Sequence, residues 1–358
     1  MPSTTKSTPT APASPTPIAT HGSADLPSVT VETYNAELRD SEGFIGDRAS
    51  QGAFRELLEG WRERLRRSGH DPLGEESSDE IAKPALDEIL ASGDLEQVGV
   101  IQGAMEDFAQ DFAGVIRKFL RLKAWRETKR IVIGGGFRGS RVGEIVIGRT
   151  AVLLKAEGID IDLVPIRNHP DEAGLIGAVH LAPAWIFSGH DSILAVDIGG
   201  TKIRAGLIEL GLRKGKELPE AQVRESEVWR HRDENPKRGE AIERLNEMLR
   251  DLVSRAGKAK LKLAPFIGIG CPGLVEEDGS IDRGGQNLPG NWESSRFNLP
   301  QEIFEGVPEI GGYQTMIVMH NDAVVQGLSE VPFMKDVPKW GVLTIGTGLG
   351  NACFTNKG

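Results

Sequence analysis

Cysteine is scarce in this chain, with only Cys271 and Cys353 among 358 residues. Two thiols cannot build a disulfide framework or a cysteine-cluster zinc site, so no zinc is expected. Such sparing use of cysteine suits a reducing compartment, and a cytoplasmic location is the expectation. Excess positive charge is also missing. The 52 acidic residues outnumber the 42 basic ones, for a formal net charge of -10, which argues against a nucleic-acid backbone as partner. No apolar run approaches the ~20 residues that cross a bilayer, so no membrane partner is expected. What remains is an ordinary globular composition, 39% hydrophobic and 26% charged, enough for two domains with real cores. The opening stretch to about Val29 is rich in Ser, Thr, Pro and Ala, with Lys6 its one Lys or Arg. Lacking an apolar segment, it is read as a disordered tail rather than a signal or transit peptide.

The first third reads helical. Phe54, Leu57, Leu58, Trp61 and Leu65 share one helical face, and Gly69 is a plausible stop. Ser77 and Glu80 have capping-box spacing for a helix through Leu90, closed by Gly93. Val98, Ile101, Met105, Phe108, Phe112, Val115 and Phe119 alternate spacings of three and four, the mark of a helix with one buried stripe. From Arg130 onward strands and helices alternate. Short apolar strands are expected at 131–133, 161–164, 193–197, 203–209, 266–270, 316–320 and 342–345. Helices are expected over 144–157, 172–181 and about 236–255, so the fold class is α/β. Residues 193–207 and 340–354 echo one another as strand, Gly/Thr turn and returning strand, which suggests a duplicated architecture.

Three turns have the composition of phosphate sites. Asp197 ends an apolar strand and leads into Gly199, Gly200, Thr201 and Lys202. Glycines let backbone approach a ligand, and consecutive N–H groups can form an anion nest. Asp197 itself suits Mg²⁺ held through water. Gly346, Thr347, Gly348 and Gly350 repeat this logic after a second strand. Gly134, Gly135 and Gly136 follow a third, where a plain strand-to-helix turn is an equal reading. Asn321 and Asp322 stand where a strand ends and a helix opens, a place where a carboxylate such as Asp322 is commonly a helix cap. Cys271 reads as a buried structural thiol. The seven histidines are scattered, and each reads as a loop or surface residue rather than a metal ligand.

Taken in order, Asp197–Lys202, the Asn287-Leu288-Pro289-Gly290 loop, His320–Ala323 and Gly346–Gly350 resemble the sugar-kinase and repressor family called ROK. In that family the first motif lies near the start of the kinase domain, whereas here the stretches resembling its C-terminal half, Ile131–Gly136 and Pro170–Ala178, lie upstream. The resemblance thus implies a circularly permuted, two-domain actin-like ATPase fold of the duplicated ribonuclease H-like kind. Its expected division is a tail at 1–40, a half resembling the family's C-terminal part at 41–171, an α/β domain with the first phosphate loop and sugar loop at 172–322, and the start of a second domain at 323–358. It further implies ATP as phosphoryl donor, Mg²⁺ as cofactor, Asp322 as general base on a hexose hydroxyl, and Asn287 and Asn321 as sugar contacts. The three glycine turns would then hold phosphates, with the Gly134 turn on the adenosine side. Partners would be a small sugar and a nucleotide, with room for a homodimer.

The chain also departs from the family. Its Glu-x-Gly-His element, which supplies two sugar contacts and a zinc ligand, does not occur, nor does its cysteine cluster. The helix-turn-helix of the family's repressors is not evident either. A weak sugar kinase is the leading expectation. A non-catalytic sugar or nucleotide sensor and an actin-like assembly or chaperone module are the alternatives.

Overall fold

The computed structural model describes residues 20–211 and 221–357; residues 1–19 of the expected tail lie outside the described residues. Ten strands carry the two main sheets: β1 (Val29–Tyr34), β2 (Arg130–Gly134), β3 (Asp162–Pro165), β4 (Ser192–Ile198), β5 (Ile203–Glu209), β6 (Gln222–Trp229), β7 (Leu263–Cys271), β8 (Met316–Asn321), β9 (Lys339–Ile345) and β10 (Leu349–Asn356). The helices used below are α1 (Gln51–Arg66), α2 (Lys83–Ser92), α3 (Leu95–Arg121), α4 (Arg141–Ala156), α5 (Ala173–Gly177), α6 (Arg238–Lys258), α7 (Leu299–Gly306) and α8 (Asp322–Leu328).

Both sheets are mixed, five-stranded and built to one plan. In the second sheet the order is β8-β7-β4-β5-β6, with β4, β5 and β6 an antiparallel meander and β7 and β8 added parallel to β4. The first sheet runs β1-β10-β9-β2-β3, where β9, β10 and β1 form the meander and β2 and β3 are the parallel additions. The two orders coincide when the strands of the first sheet are counted from β9 and continued at β1. The third strand of that meander therefore comes from the other end of the sequence, pairing Val29 with Asn356 and Tyr34 with Ala352.

That pairing corrects the expected tail, because Val29–Tyr34 is a strand with Val29 and Val31 buried. The Val-Thr-Val-Glu-Thr-Tyr alternation gives β1 one apolar face, which the preceding Ser/Pro composition obscured. A second correction concerns α2. Ser77 and Glu80 do bond to each other, the Ser77 hydroxyl donating to Glu80 at 2.9 Å, but they close a turn. The helix starts only at Lys83, with Pro84 in its first turn. Proline has no N–H and blocks the preceding turn, so it is tolerated there and not deeper. The edge strand β6 was not anticipated; its Arg, Glu and Ser alternate on a half-exposed surface.

The long helix α3 behaves as its periodicity requires. Asp94 and Gln97 complete a reciprocal capping box, and Ile101, Phe108, Phe112, Ile116 and Phe119 are buried. Each such side chain contributes about 1.5–3 kcal/mol when taken from water. Phe108 also packs against Phe54 of α1 at 5.9 Å and Phe137 at 5.0 Å, joining this core to the turn after β2. Between the two sheets lie α5 and α8. They approach so closely that a Cβ on Gly177 would overlap the Val325 carbonyl, at 1.7 Å. Among the described residues no helix is long and apolar enough to cross a membrane.

Candidate active site

Three parallel strands, β4, β7 and β8, end side by side, and their carboxyl ends deliver Asp197, Cys271 and the Asn321-Asp322 pair. The register sets Asp197 opposite Gly270 and Asn321 opposite Cys271. Side chains beyond the carboxyl ends of parallel strands face the crevice where α/β proteins bind ligands. Asp197 is only 2% exposed. Burial raises its pKa, while Arg204 opposes that shift by donating to Asp197 Oδ2 at 3.0 Å. The other arm of Arg204 holds Asp171, just before α5. Helix α5 reaches this pair because Gly174 has no side chain; a Cβ there would lie 2.5 Å from Asp197 Oδ1.

The cap question at the start of α8 has a clear answer. Asn321 is the N-cap: its Oδ1 accepts from the N–H groups of Ala323 at 3.0 Å and Val324 at 3.4 Å, and its Nδ2 donates to the Gly273 carbonyl at 3.0 Å. Asp322 is the first helical residue and is free of the capping task. Asp322 keeps part of its surface open. The protein packed around it and then the Asp197 carboxylate raise its pKa from 3.8 to about 7, against the pull of nearby N–H groups. Cys271, between the two acids, has a thiol pushed well above its usual range, by burial first and then by Asp322 and Asp197. It is a structural thiol and no nucleophile.

Two of the turns pack on each other at the end of the first sheet. Gly346 donates to the Gly348 carbonyl at 2.9 Å, which leaves Thr347 and Gly348 at an exposed tip. Gly135 adopts φ +81°, and a Cβ on it would meet the Ile345 carbonyl at 2.4 Å. Only glycine allows both the backbone angle and the contact. The third turn closes through the Gly199 N–H on the Lys202 carbonyl at 2.9 Å, and His231 Nε2 sits 2.8 Å from the Gly199 carbonyl. Thr201 and Lys202 are half-exposed beside it. Asn287 is exposed, and its Cβ is 3.0 Å from the point a Gly200 Cβ would occupy.

Helix α8 joins these groups. The point a Gly350 Cβ would occupy is 3.0 Å from Ala323 Cβ, next to Asp322, and that of Gly134 is 3.6 Å from Gln326 Oε1. Helix α8 thus stands next to the Gly350 end of one turn and the Gly134 end of another, while Asn287 meets Gly200 of the third. Beside the Gly134 turn lies a small cavity of about 20 Å³, lined by Phe54, Leu86, Phe137 and Val142 together with the polar Gln51, Arg55, Lys83 and Ser140. Sequence reasoning missed Arg204, Asp171, His231 and Lys83. Arg204 was legible in principle, since a tight hairpin after Asp197 pairs the two positions. The histidine reading also needs correcting: His180, His231 and His320 are buried. His320 lies against Tyr34, with ring centroids 4.9 Å apart, a placement no local pattern encodes.

Among the described residues no three His, Cys, Asp or Glu side chains gather as a metal-holding group. A cation here would rest on Asp197 and on groups of a bound substrate. Mg²⁺ is usually held in that way, by one or two carboxylates together with phosphate oxygens.

No family model matches the sequence, and no curated protein matches it. Among solved structures the chain is similar to a provisionally assigned sugar kinase from Cytophaga hutchinsonii, at 22% identity and a TM-score of 0.34, over 46% of this chain and 48% of that one. It is similar also to a provisionally assigned N-acetylmannosamine kinase from Listeria monocytogenes, at 25% identity and a TM-score of 0.33, over 46% and 47% of the two chains. An exopolyphosphatase from Cytophaga hutchinsonii matches at 18% identity and a TM-score of 0.24, over 46% and 51%. The chain spans about half the length of the structures it matches. The strand orders above, and not these partial superpositions, define the architecture.

Proposed function

We propose that this protein is a ROK-type sugar kinase that transfers a phosphoryl group from ATP to a sugar hydroxyl, on a circularly permuted actin-like ATPase fold. The shared strand order of the two sheets supports the fold reading, with the halves meeting near residues 171 and 322. One observation carries the activity: Asn321 takes the cap of α8, so Asp322, at the end of β8 near Asp197, is not needed for it. That carboxylate is left to act as a base.

In this reading Asp322 accepts the hydroxyl proton as the sugar oxygen attacks the terminal phosphorus, and the bond to the leaving diphosphate breaks. Phosphoryl transfer depends mainly on positioning and charge stabilisation, so one base with well-placed N–H donors is a sufficient protein set. Asp197 would hold Mg²⁺, whose chemistry is to neutralise charge on the phosphate oxygens. Gly199–Lys202 and Gly346–Gly350 would cradle phosphates from the two sheets. The Gly134–Gly136 turn would border the nucleoside. Asn287, exposed beside Gly200, would bond sugar hydroxyls. Asn321, already committed to the cap and to Gly273, would add to sugar binding chiefly by holding Asp322 in place.

The test is calorimetric titration of a panel of hexoses and amino sugars with and without Mg·ATP, joined to a turnover assay. Wild type should phosphorylate at least one of them. Asp322→Asn should lower kcat by about 10²–10⁴-fold, the usual worth of a general base, and leave nucleotide binding within about twofold. Equal rates for the two proteins would overturn the kinase reading. Sugar binding with no turnover in wild type would replace it with a sensor.

A further inference from the structure

We propose that Lys83, on α2, is a phosphate-binding residue of the nucleotide site that acts together with Lys202, and that Asp171 serves as their carboxylate until a polyphosphate arrives. The inference rests on the nucleotide reading above. It concerns a helix with no functional role legible in the sequence.

The geometry is specific. Arg55 of α1 donates to the Ser78 carbonyl at 2.9 Å and the Ile81 carbonyl at 2.7 Å, which fixes the segment leading into α2. That anchoring carries Lys83 to the Gly134–Gly136 turn, where its Nζ donates to the Gly136 carbonyl at 2.8 Å. Lys83 also lines the small cavity beside Phe54, Leu86 and Phe137, so the ammonium marks the boundary between that cavity and the phosphate turns.

The charges around it are unbalanced. Burial, then Arg55, then Lys202 lower the Lys83 pKa, and Asp171 and Asp87 oppose them. Asp87 is spent on another element, accepting from the Arg141 and Val142 N–H groups at 2.9 and 3.0 Å at the start of α4. Asp171 must therefore serve Lys83, Lys202 at 3.9 Å and Arg204 together. Asp197 answers part of the Arg204 charge, but two lysines from different elements sharing Asp171 are still poorly compensated in a half-buried crevice. A chain of phosphate oxygens entering there would satisfy both lysines, with charge-assisted hydrogen bonds about twice as strong as neutral ones.

A purely structural role, tethering the Gly136 carbonyl, makes a different prediction. Lys83→Gln keeps a donor for that carbonyl and loses the charge; Lys83→Arg keeps the charge. We would measure calorimetric binding of Mg·ATP, Mg·ADP and inorganic tripolyphosphate, with the thermal midpoint of each variant as the folding control. Lys83→Gln should bind all three about 10- to 100-fold more weakly at an unchanged midpoint, and Lys83→Arg should recover most of the loss. Asp171→Asn, which removes the resident carboxylate, should bind tripolyphosphate more tightly than wild type. Wild-type affinity in Lys83→Gln would overturn the proposal and leave Lys83 a tether. If wild type binds tripolyphosphate and no nucleotide, the kinase reading falls while Lys83 is still decided on tripolyphosphate. Binding of neither probe overturns both.

Discussion

At the scale of single residues, the proposed chemistry turns on two neighbours, one that caps a helix and one that does not. Asn321 satisfies the first N–H groups of α8, and Asp322 is thereby spared. A base with a pKa near 7 has a definite signature. Only its ionised form accepts a proton, so kcat/KM should climb about tenfold per pH unit below 7 and level off above it. Stability should run the other way. Asp322 ionises at about 7 in the fold against an ordinary value of 3.8, so its contribution to folding is fully present below pH 3.8 and lost as pH rises towards 7. Asp322→Asn should accordingly gain thermal stability over wild type at pH 8, with the gap closing by pH 4. A flat rate profile between pH 5.5 and 8, or a variant less stable at pH 8, would contradict this assignment.

At the scale of elements, the site depends on turns pressed against strand ends rather than on long-range rigidity. The turn after β2 leans on the end of β9 through Gly135, at a backbone angle of +81° and with the Ile345 carbonyl 2.4 Å from where a Cβ would sit. Gly135→Ala adds a methyl group in both a strained conformation and an occupied space. It should cost about 2 kcal/mol or more of stability, by chemical denaturation, and weaken nucleotide binding at the same time. A variant with wild-type stability and affinity would show that the turn is not held as described. The glycine-rich composition of this turn was plain in the sequence. The structure makes it a strand-to-helix turn between β2 and α4, and the contact that restricts Gly135 comes from Ile345, far along the chain.

At the scale of the whole molecule, the first sheet is assembled from both ends of the sequence. Strand β1 pairs along β10 and buries Val29 and Val31, and Tyr34 donates to the Val275 carbonyl at 3.1 Å, so the segment ties that sheet to the loop after β7. Removing residues up to Tyr34 should expose the β10 edge and its apolar neighbours. The expected result is aggregation on size-exclusion chromatography and loss of a cooperative thermal transition. A monomeric truncation with an unchanged midpoint would mean that β1 is dispensable.

The sequence by itself determined the helices and strands with strong periodicity, the three glycine turns and the positions of Asp197 and Asp322 at strand ends. Those features are local: a 3.6- or 2-residue repeat, or a turn composition, is written within a dozen residues. The tertiary structure alone decided the rest. It made β1 a strand, because the backbone partner of a Val-Thr-Val run lies over 300 residues away at β10. It gave the cap to Asn321 and the free carboxylate to Asp322, since two adjacent polar residues are equivalent in pattern and differ only in the direction of the backbone that presents them. And it brought Lys83 of α2 to the Gly136 carbonyl and Lys202 to within 3.9 Å of Asp171, contacts between segments far apart in the chain.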